Sequence, residues 1–244
     1  MPSISEQLAI QRFAEELEDQ PPQDILRWGV ERYGPGVALA TGFGQQSVAQ
    51  IHMLYDMKLL DRVEVFYLET DLLFDETHDT RKALEAKYGF ASTAVRPRLS
   101  LNEQAEEFGA ALWENDPAAC CRIRKVEPLR DFLAGRSAWI TGLRRSGSQT
   151  RASVPVVMWD EVNLQPKINP MACMDAESIA GYIQAYDIPY NKLRDQGYRS
   201  IGCTPCTRPV EDGEDERAGR WANHQGKTEC GIHVDGKLIK DQND

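Results

Sequence analysis

Six cysteines are the residues of this 244-residue chain whose types and spacing could do chemistry. Cys120 and Cys121 are adjacent in NDPAACCRIRKVEPL, and Cys203 and Cys206 stand in C-x-x-C spacing in IGCTPCTRP. A disulfide between neighbours would be strained, because bridged Cα atoms normally lie about 5.5 to 6 Å apart and neighbouring Cα atoms about 3.8 Å. The partners of Cys120 and Cys121 are therefore expected elsewhere in the chain.

The two pairs together supply four thiolates, the number that a [4Fe–4S] cluster or a Cys₄ zinc site requires. C-x-x-C by itself is also typical of a redox disulfide. Zinc usually draws its ligands from pairs two to four residues apart, which an adjacent pair fits poorly. A cluster presents separate iron corners that two neighbouring side chains can reach. The spacing therefore favours iron–sulfur and leaves zinc as the alternative.

The two remaining cysteines differ in their surroundings. Cys230 lies in KTECGIH, with Lys227 and His233 nearby in a polar, glycine-containing tail. Cationic neighbours lower a thiol pKa and exposure admits reaction partners, so Cys230 is either a reactive thiol or a surface spectator. Cys173, among Met and Ala in NPMACMDAES, is expected to be a small buried hydrophobe without a chemical role.

Basic residues are concentrated around the first cysteine pair. Between Glu114 and Arg151 there are four acidic residues and eight basic ones: Arg122, Arg124, Lys125, Arg130, Arg136, Arg144, Arg145 and Arg151. Such a run is often only a solvated helix face. Beside a group of thiols, in a chain of net charge −10, it indicates a site for an anion.

The elements that must position these residues alternate between strand and helix. Residues 36–41, 62–70 and 137–143 are apolar and β-branched enough for buried strands, and QQSVAQIHMLYDMKLL and DETHDTRKALEAKYG carry helical spacing. Gly89 is placed to end the second helix. This alternation predicts a parallel sheet flanked by helices. The turn TGFGQQS (41–47) leads from the first strand into a helix, where free N–H groups can hold phosphate or sulfate.

Composition excludes several classes of protein. The net charge of −10 argues against a general nucleic-acid binder. The N-terminus has no basic stretch followed by an apolar one, so no secretory signal is predicted, and no apolar run suggests a membrane span. A cytoplasmic protein with reduced thiols is expected. The acidic stretch EDGEDER (211–217) is interpreted as a solvated linker between a domain, 1–209, and a flexible tail, 210–244.

Four segments in this order resemble the assimilatory adenylyl-sulfate reductases, relatives of the phosphoadenylyl-sulfate reductases. They are CCRIRKVEP, ITGLRRSGSQTRA, IGCTPCTRP and GRWANHQGKTECGIH, and the resemblance runs from about residue 20 to 234. It implies a Rossmann-like adenine-nucleotide α-hydrolase fold with a mobile C-terminal tail. It also implies reduction of adenosine 5′-phosphosulfate to sulfite and AMP, with thioredoxin or a similar dithiol carrier as electron donor.

The resemblance assigns roles to particular residues. Cys230 matches the nucleophile, which would form an S-sulfocysteine intermediate. Lys125, Arg144, Arg145 and Arg151 are expected to bind the anionic substrate, with Lys125 between cluster and substrate. Cys120, Cys121, Cys203 and Cys206 match the ligands of a [4Fe–4S] cluster.

Some features depart from the family or leave alternatives open. Glu69 and Asp71 stand where relatives often have Asp and Gly, so Thr70 and Glu76 receive no role, and neither do His52, His78 and His224. Reduction of 3′-phosphoadenylyl sulfate is the alternative activity. A tRNA-thiolating relative is a weaker one, because TGFGQQS lacks the acidic residue of a pyrophosphatase turn. A homo-oligomer stays open.

Overall fold

The computed structural model describes residues 3–224 and 226–233. The helices in that part of the chain are α1 Ile4–Leu17, α2 Pro22–Tyr33, α3 Gln45–Asp56, α4 Asp75–Tyr88, α5 Leu101–Phe108, α6 Leu112–Asn115, α7 Pro117–Cys121, α8 Glu127–Leu133 and α9 Ala176–Ala185. The strands are β1 Val37–Ala40, β2 Glu64–Leu68, β3 Thr93–Val95, β4 Ala138–Ile140, β5 Val157–Asp160 and β6 Gln165–Ile168. None of these helices has both the length and the apolar character needed to cross a membrane.

Local sequence explains where the helices begin and end. Ser3 and Ser100 open α1 and α5 with reciprocal capping boxes to Glu6 and Glu103. Gly89 ends α4 in the left-handed conformation, with φ of 68°, as the sequence predicts. A π-helical turn, Arg122–Val126, joins α7 to α8, so the segment after the cysteine pair continues as one irregular helix.

The strands form one six-stranded sheet in the order β3-β2-β1-β4-β6-β5. All neighbouring strands are parallel except β5 and β6, which form an antiparallel edge. The three strands predicted from sequence are β1, β2 and β4, which lie side by side. The order runs outward in opposite directions from β1 and β4, and ligands of such sheets bind at this reversal, beyond the carboxyl ends of the strands. The expected parallel α/β fold is confirmed.

Each face of the sheet has its own core. Val37 and Leu39 of β1 belong to the larger cluster, and Ala38 between them belongs to a smaller one with Trp139 of β4. This alternation follows from the two-residue period of a strand. Ile232, from the tail, packs against the smaller cluster.

The described part of the tail packs on the domain. Trp221 is buried at 3% exposure, and its backbone N–H donates to the carbonyl of Cys206 at 3.0 Å. Thr207 and Arg220 form an isolated antiparallel bridge. Two carboxylates of the acidic run 211–217 form ion pairs, Glu214 with Arg208 and Glu216 with Arg144. The division at 209/210 therefore stays a prediction about motion, and residues 234–244 lie outside the described part.

The prediction for Cys173 is wrong, because its side chain is exposed. Its thiol lies 3.5 Å from the carbonyl of Glu18 and 3.4 Å from a guanidinium nitrogen of Arg145. The apolar neighbours in NPMACMDAES predicted burial, but Met171 and Ala172 fill the core and the chain turns outward after them.

Candidate active site

A cavity of about 300 Å³ opens beyond the carboxyl ends of β1, β2 and β4. Residues that follow these strands line it, including Thr41, Thr70 and Thr141. Its wall contains seven cationic side chains, Lys125, Arg144, Arg151, Arg194, Arg199, Arg217 and Arg220, and two acidic ones, Glu216 and Glu229. Cys230 and His233 of the tail complete the lining. The cavity therefore combines an excess of positive charge with a thiol.

The turn between β1 and α3 forms one wall of this cavity. Thr41 Oγ1 donates to Ser47 Oγ at 2.9 Å and accepts from the Phe43 N–H at 2.9 Å, which holds Phe43 at a φ of 52°. Gly44 precedes α3 without a side-chain cap. The first N–H groups of this helix therefore need an acceptor, and an anion in the cavity can supply it.

The two cysteine pairs are brought together from distant parts of the chain. Asp116 caps α7, which carries the adjacent pair. Cys203 lies in an antiparallel bridge with Leu73, and its Sγ is 3.3 Å from Thr70 Oγ1. The segment that follows β2 therefore holds Cys203, the first cysteine of the C-x-x-C pair.

The ionisation of the thiols reflects this grouping. Burial, together with the charges of Cys121, Cys203 and Cys206, raises the pKa of Cys120 to about 12. Burial also raises the pKa of Cys121 to about 11, against the opposing charge of Lys125. Burial opposes ionisation of Cys203 as well, but the charge of Lys125 and the Thr70 hydrogen bond lower its pKa. The four thiols are therefore close enough to act on one another.

Four grouped thiols are the donors that a metal group would use in this part of the chain. Within 3–224 and 226–233, no three His, Cys, Asp or Glu side chains are arranged around a single ion site. Two buried donors, Trp221 Nε1 and Arg220 Nε, have no acceptor in the same described residues. The backbone N–H of Trp221 bonds to the carbonyl of Cys206, one of the four cysteines. Four clustered thiols with unpaired N–H donors around them suit a group that brings its own sulfur acceptors.

Lys125 lies between the thiols and the cavity. Its pKa is pulled down by desolvation, but the thiolates of Cys203, Cys230 and Cys121 outweigh this and raise the pKa of the ammonium. One cation therefore faces both a metal-ligand candidate and the nucleophile candidate. A position of Lys125 between a cluster and a bound substrate stays a prediction.

Two of the three predicted arginines line the cavity. Arg144 is 4% exposed and pairs with Glu216 at 2.6 Å. Arg151 pairs with Glu229. Arg145 does not line the cavity, because its guanidinium pairs with Glu18 and donates to the carbonyl of Val154. The sequence cannot distinguish the neighbours 144 and 145, which point to different sides of the chain.

Four cavity arginines were not predicted as site residues: Arg194, Arg199, Arg217 and Arg220. Arg217 closes the acidic run 211–217, whose composition suggested a solvated linker. Arg220 belongs to the motif GRWANHQGKTECGIH, and its presence there was the available signal. Arg194 lies in a short 3₁₀ helix, Lys192–Gln196, and Arg199 follows it; neither belongs to a motif.

Known proteins resemble this chain over most of its length. Residues 36–209 match the model of the phosphoadenosine phosphosulfate reductase domain. The chain is 43% identical over 220 residues to an adenosine 5′-phosphosulfate reductase of Salinibacter ruber, covering 90% of this chain and 86% of that protein. A reductase of the same name from Streptomyces coelicolor is 43% identical over 223 residues, covering 91% of this chain and 92% of that one.

Solved structures resemble it as well. A phosphoadenylyl-sulfate reductase of Candida auris, in a phosphate complex, superposes with a TM-score of 0.72 at 30% identity, covering 84% of this chain and 97% of that one. An FMN adenylyltransferase of Candida glabrata, 13% identical with a TM-score of 0.57 over 100% of this chain and 85% of that one, shares the fold. The extent of the domain match and the identity to curated relatives show that this chain belongs to the phosphoadenosine phosphosulfate reductase family.

Proposed function

We propose that this chain reduces adenosine 5′-phosphosulfate to sulfite and AMP in sulfate assimilation, with Cys230 as the nucleophile. The observation that carries the proposal is the meeting of Cys230, Lys125 and six arginines at one cavity. The names of the relatives from Salinibacter ruber and Streptomyces coelicolor support this substrate.

The chemistry needs cations near a thiolate. The sulfonate sulfur is electrophilic but surrounded by anionic oxygens, so Lys125, Arg144 and Arg151 reduce the repulsion of an incoming thiolate. The Cys230 thiolate attacks that sulfur, the bond from sulfur to the phosphate oxygen breaks, and AMP leaves with the electron pair. The product on the protein is S-sulfocysteine.

A dithiol carrier such as thioredoxin completes the reaction. One of its thiolates attacks Cys230 Sγ, sulfite leaves with the electron pair, and a mixed disulfide remains. The second thiol of the carrier resolves it, releasing Cys230 as a thiolate. The carrier is thereby oxidised by two electrons, which matches the reduction of sulfate to sulfite.

A [4Fe–4S] cluster is the cofactor that we assign to Cys120, Cys121, Cys203 and Cys206. When bound, it would add negative charge beside the cavity and order the two cysteine segments. Lys125 balances that charge on one side and attracts the substrate on the other. In this account the electrons for reduction come from the dithiol carrier.

Mass spectrometry of Cys230 tests the nucleophile. Wild-type protein given adenosine 5′-phosphosulfate without a reductant should gain one sulfonate on the peptide with Cys230, and reduced thioredoxin should release it as sulfite. Cys230→Ser should still bind substrate but form no adduct, because a hydroxyl is a far weaker nucleophile. The exposed Cys173 supplies the control: Cys173→Ser should react normally, and an adduct on Cys173 would disprove the assignment.

Iron content tests the cofactor independently of turnover. Cys121→Ser and Cys203→Ser should lose iron and stability, whereas Cys230→Ser should keep iron and the visible absorption of thiolate-ligated iron. Active protein that is colourless and contains zinc would contradict the cluster.

Substrate preference decides between two activities. The family name and the Candida auris structure favour the 3′-phosphorylated substrate as the second candidate. Comparison of kcat/KM for adenosine 5′-phosphosulfate and its 3′-phosphate should favour the former. The opposite preference would change the substrate and leave the role of Cys230 standing.

A further inference from the structure

Glu229, the residue before Cys230, is bound by the arginines of the cavity. Its two carboxylate oxygens accept from Arg151 Nε and Nη2, each at 2.7 Å, in a two-pronged contact. Arg217 Nη2 donates to the same carboxylate at 3.1 Å and to the carbonyl of Thr228 at 2.7 Å. The Glu229 side chain is only 12% exposed. Paired, two-pronged contacts of this kind are among the stronger hydrogen bonds in proteins.

Glu229 lies among several positive charges. Burial and the nearby charge of Arg151 lower the pKa of Arg217 to about 10, and Arg220 adds to this effect. The pKa of Glu229 is lowered, because contacts with Arg151 and Arg217 outweigh its desolvation. Three guanidinium groups share this part of the cavity wall, and Glu229 is the carboxylate that two of them bind.

We propose that Glu229 is a positioning residue that latches the Cys230 segment onto Arg151 and Arg217 and competes with an incoming oxyanion for these donors. The identity of that oxyanion as the phosphosulfate group rests on the proposed function; the competition itself does not.

Two consequences follow from the contacts. An oxyanion that binds Arg151 and Arg217 must displace the Glu229 carboxylate, so anion binding and release of the segment are coupled. Because Glu229 and Cys230 are adjacent, this release changes the position and exposure of the thiol. The substrate would thereby free the thiol that attacks it.

Inorganic sulfate and iodoacetamide test the latch without turnover. Glu229→Gln should bind sulfate at least about fivefold more tightly in calorimetry, which is the low end of ordinary coupling between two binding events. Its Cys230 should be alkylated several-fold faster by iodoacetamide, as measured by peptide mass spectrometry. Unchanged sulfate affinity or an unchanged alkylation rate would overturn the proposal.

Glu216→Gln is the matched control. Glu216 is the other carboxylate of the cavity and pairs with Arg144, but it is not next to Cys230. Its removal should leave the alkylation rate of Cys230 at the wild-type value, because Glu229 still holds the segment. Equal acceleration in both variants would show a general loosening of the tail and overturn the latch.

A conservative variant separates position from charge. Glu229→Asp keeps the charge but reaches less far. It should therefore show the same two changes, tighter sulfate binding and faster alkylation, in smaller degree, and it serves if Glu229→Gln does not fold.

With adenosine 5′-phosphosulfate, Glu229→Gln should lower KM without raising kcat. A purely structural role would instead lower the melting temperature and kcat and leave sulfate affinity unchanged, which would refute the latch.

Discussion

At the scale of single residues, neighbours with the same chemistry have different roles. Arg144 is almost fully buried at the cavity, whereas Arg145 pairs with Glu18 where both side chains are partly exposed. Arg151 is held by a carboxylate that is itself almost buried. All three residues are arginines, so the direction of the side chain decides which of them can bind an anion.

The arginines therefore respond differently to substitution. A charged hydrogen bond contributes about 1.5 to 3 kcal/mol, so Arg151→Ala should raise KM for the sulfonucleotide by about tenfold to a hundredfold. Arg145→Ala should leave KM unchanged and lower the free energy of unfolding by less than about 1 kcal/mol, as expected for an exposed ion pair. Steady-state kinetics and urea denaturation measure the two effects. A large KM increase in Arg145→Ala would place it at the substrate.

At the scale of elements, one buried side chain joins the segments that carry the two cysteine pairs. Arg124, 1% exposed, follows the adjacent pair on the π-helical turn. It donates to the carbonyl of Thr70 at 2.6 Å and to Gln104 Oε1 at 3.1 Å, and it pairs with Asp71. Thr70 also contacts Cys203. Arg124 therefore connects the helix that carries Cys120 and Cys121 to the residue that contacts Cys203.

Removal of Arg124 should therefore be costly. Arg124→Ala leaves a cavity and buried acceptors without a donor, and we expect the free energy of unfolding to fall by about 3 kcal/mol. Arg122 is the control, because it is exposed and pairs with Glu127 on the surface. Arg122→Ala should cost less than about 1 kcal/mol. Equal urea midpoints for the two variants would show that the buried network contributes no more than the surface pair.

At the scale of the whole molecule, residues of the tail complete the wall of the cavity at the edge of the sheet. The sheet reversal between β1 and β4 leaves a cavity, and tail residues that include Arg217, Trp221 and Cys230 form part of its wall. The proposed dithiol carrier would have to reach Cys230, which is half-buried in this arrangement. We therefore predict that the tail opens and closes during turnover, as flexible segments do in many enzymes.

Limited proteolysis tests this motion. Trypsin should cut the free protein beyond about residue 210, and AMP or substrate should protect the cuts at Arg217 and Arg220, because these two arginines line the cavity and gain contacts to the nucleotide. Lys227 is left out of the comparison, because it lies next to the short Glu229–Cys230 segment that anion binding releases. Equal cleavage with and without AMP would count against gating by the nucleotide.

Much of this protein follows from sequence alone. Strands β1, β2 and β4, helices α3 and α4 and the Gly89 cap were predicted because their signals are local: apolar runs, helical spacing and a glycine at a helix end. The cysteine pairs and ECGIH identified the family because side-chain chemistry and order are properties of the chain itself.

The tertiary structure decided which way side chains point and which residues far apart in sequence meet. Cys173 is exposed although its neighbours are apolar, and Arg145 turns away from the cavity that Arg144 lines. Arg217, at the end of an acidic run, lies in the cavity because the tail folds back and pairs it with Glu229. Contacts between residues far apart in sequence depend on the packing of whole elements, and no local pattern of charge or hydropathy encodes them.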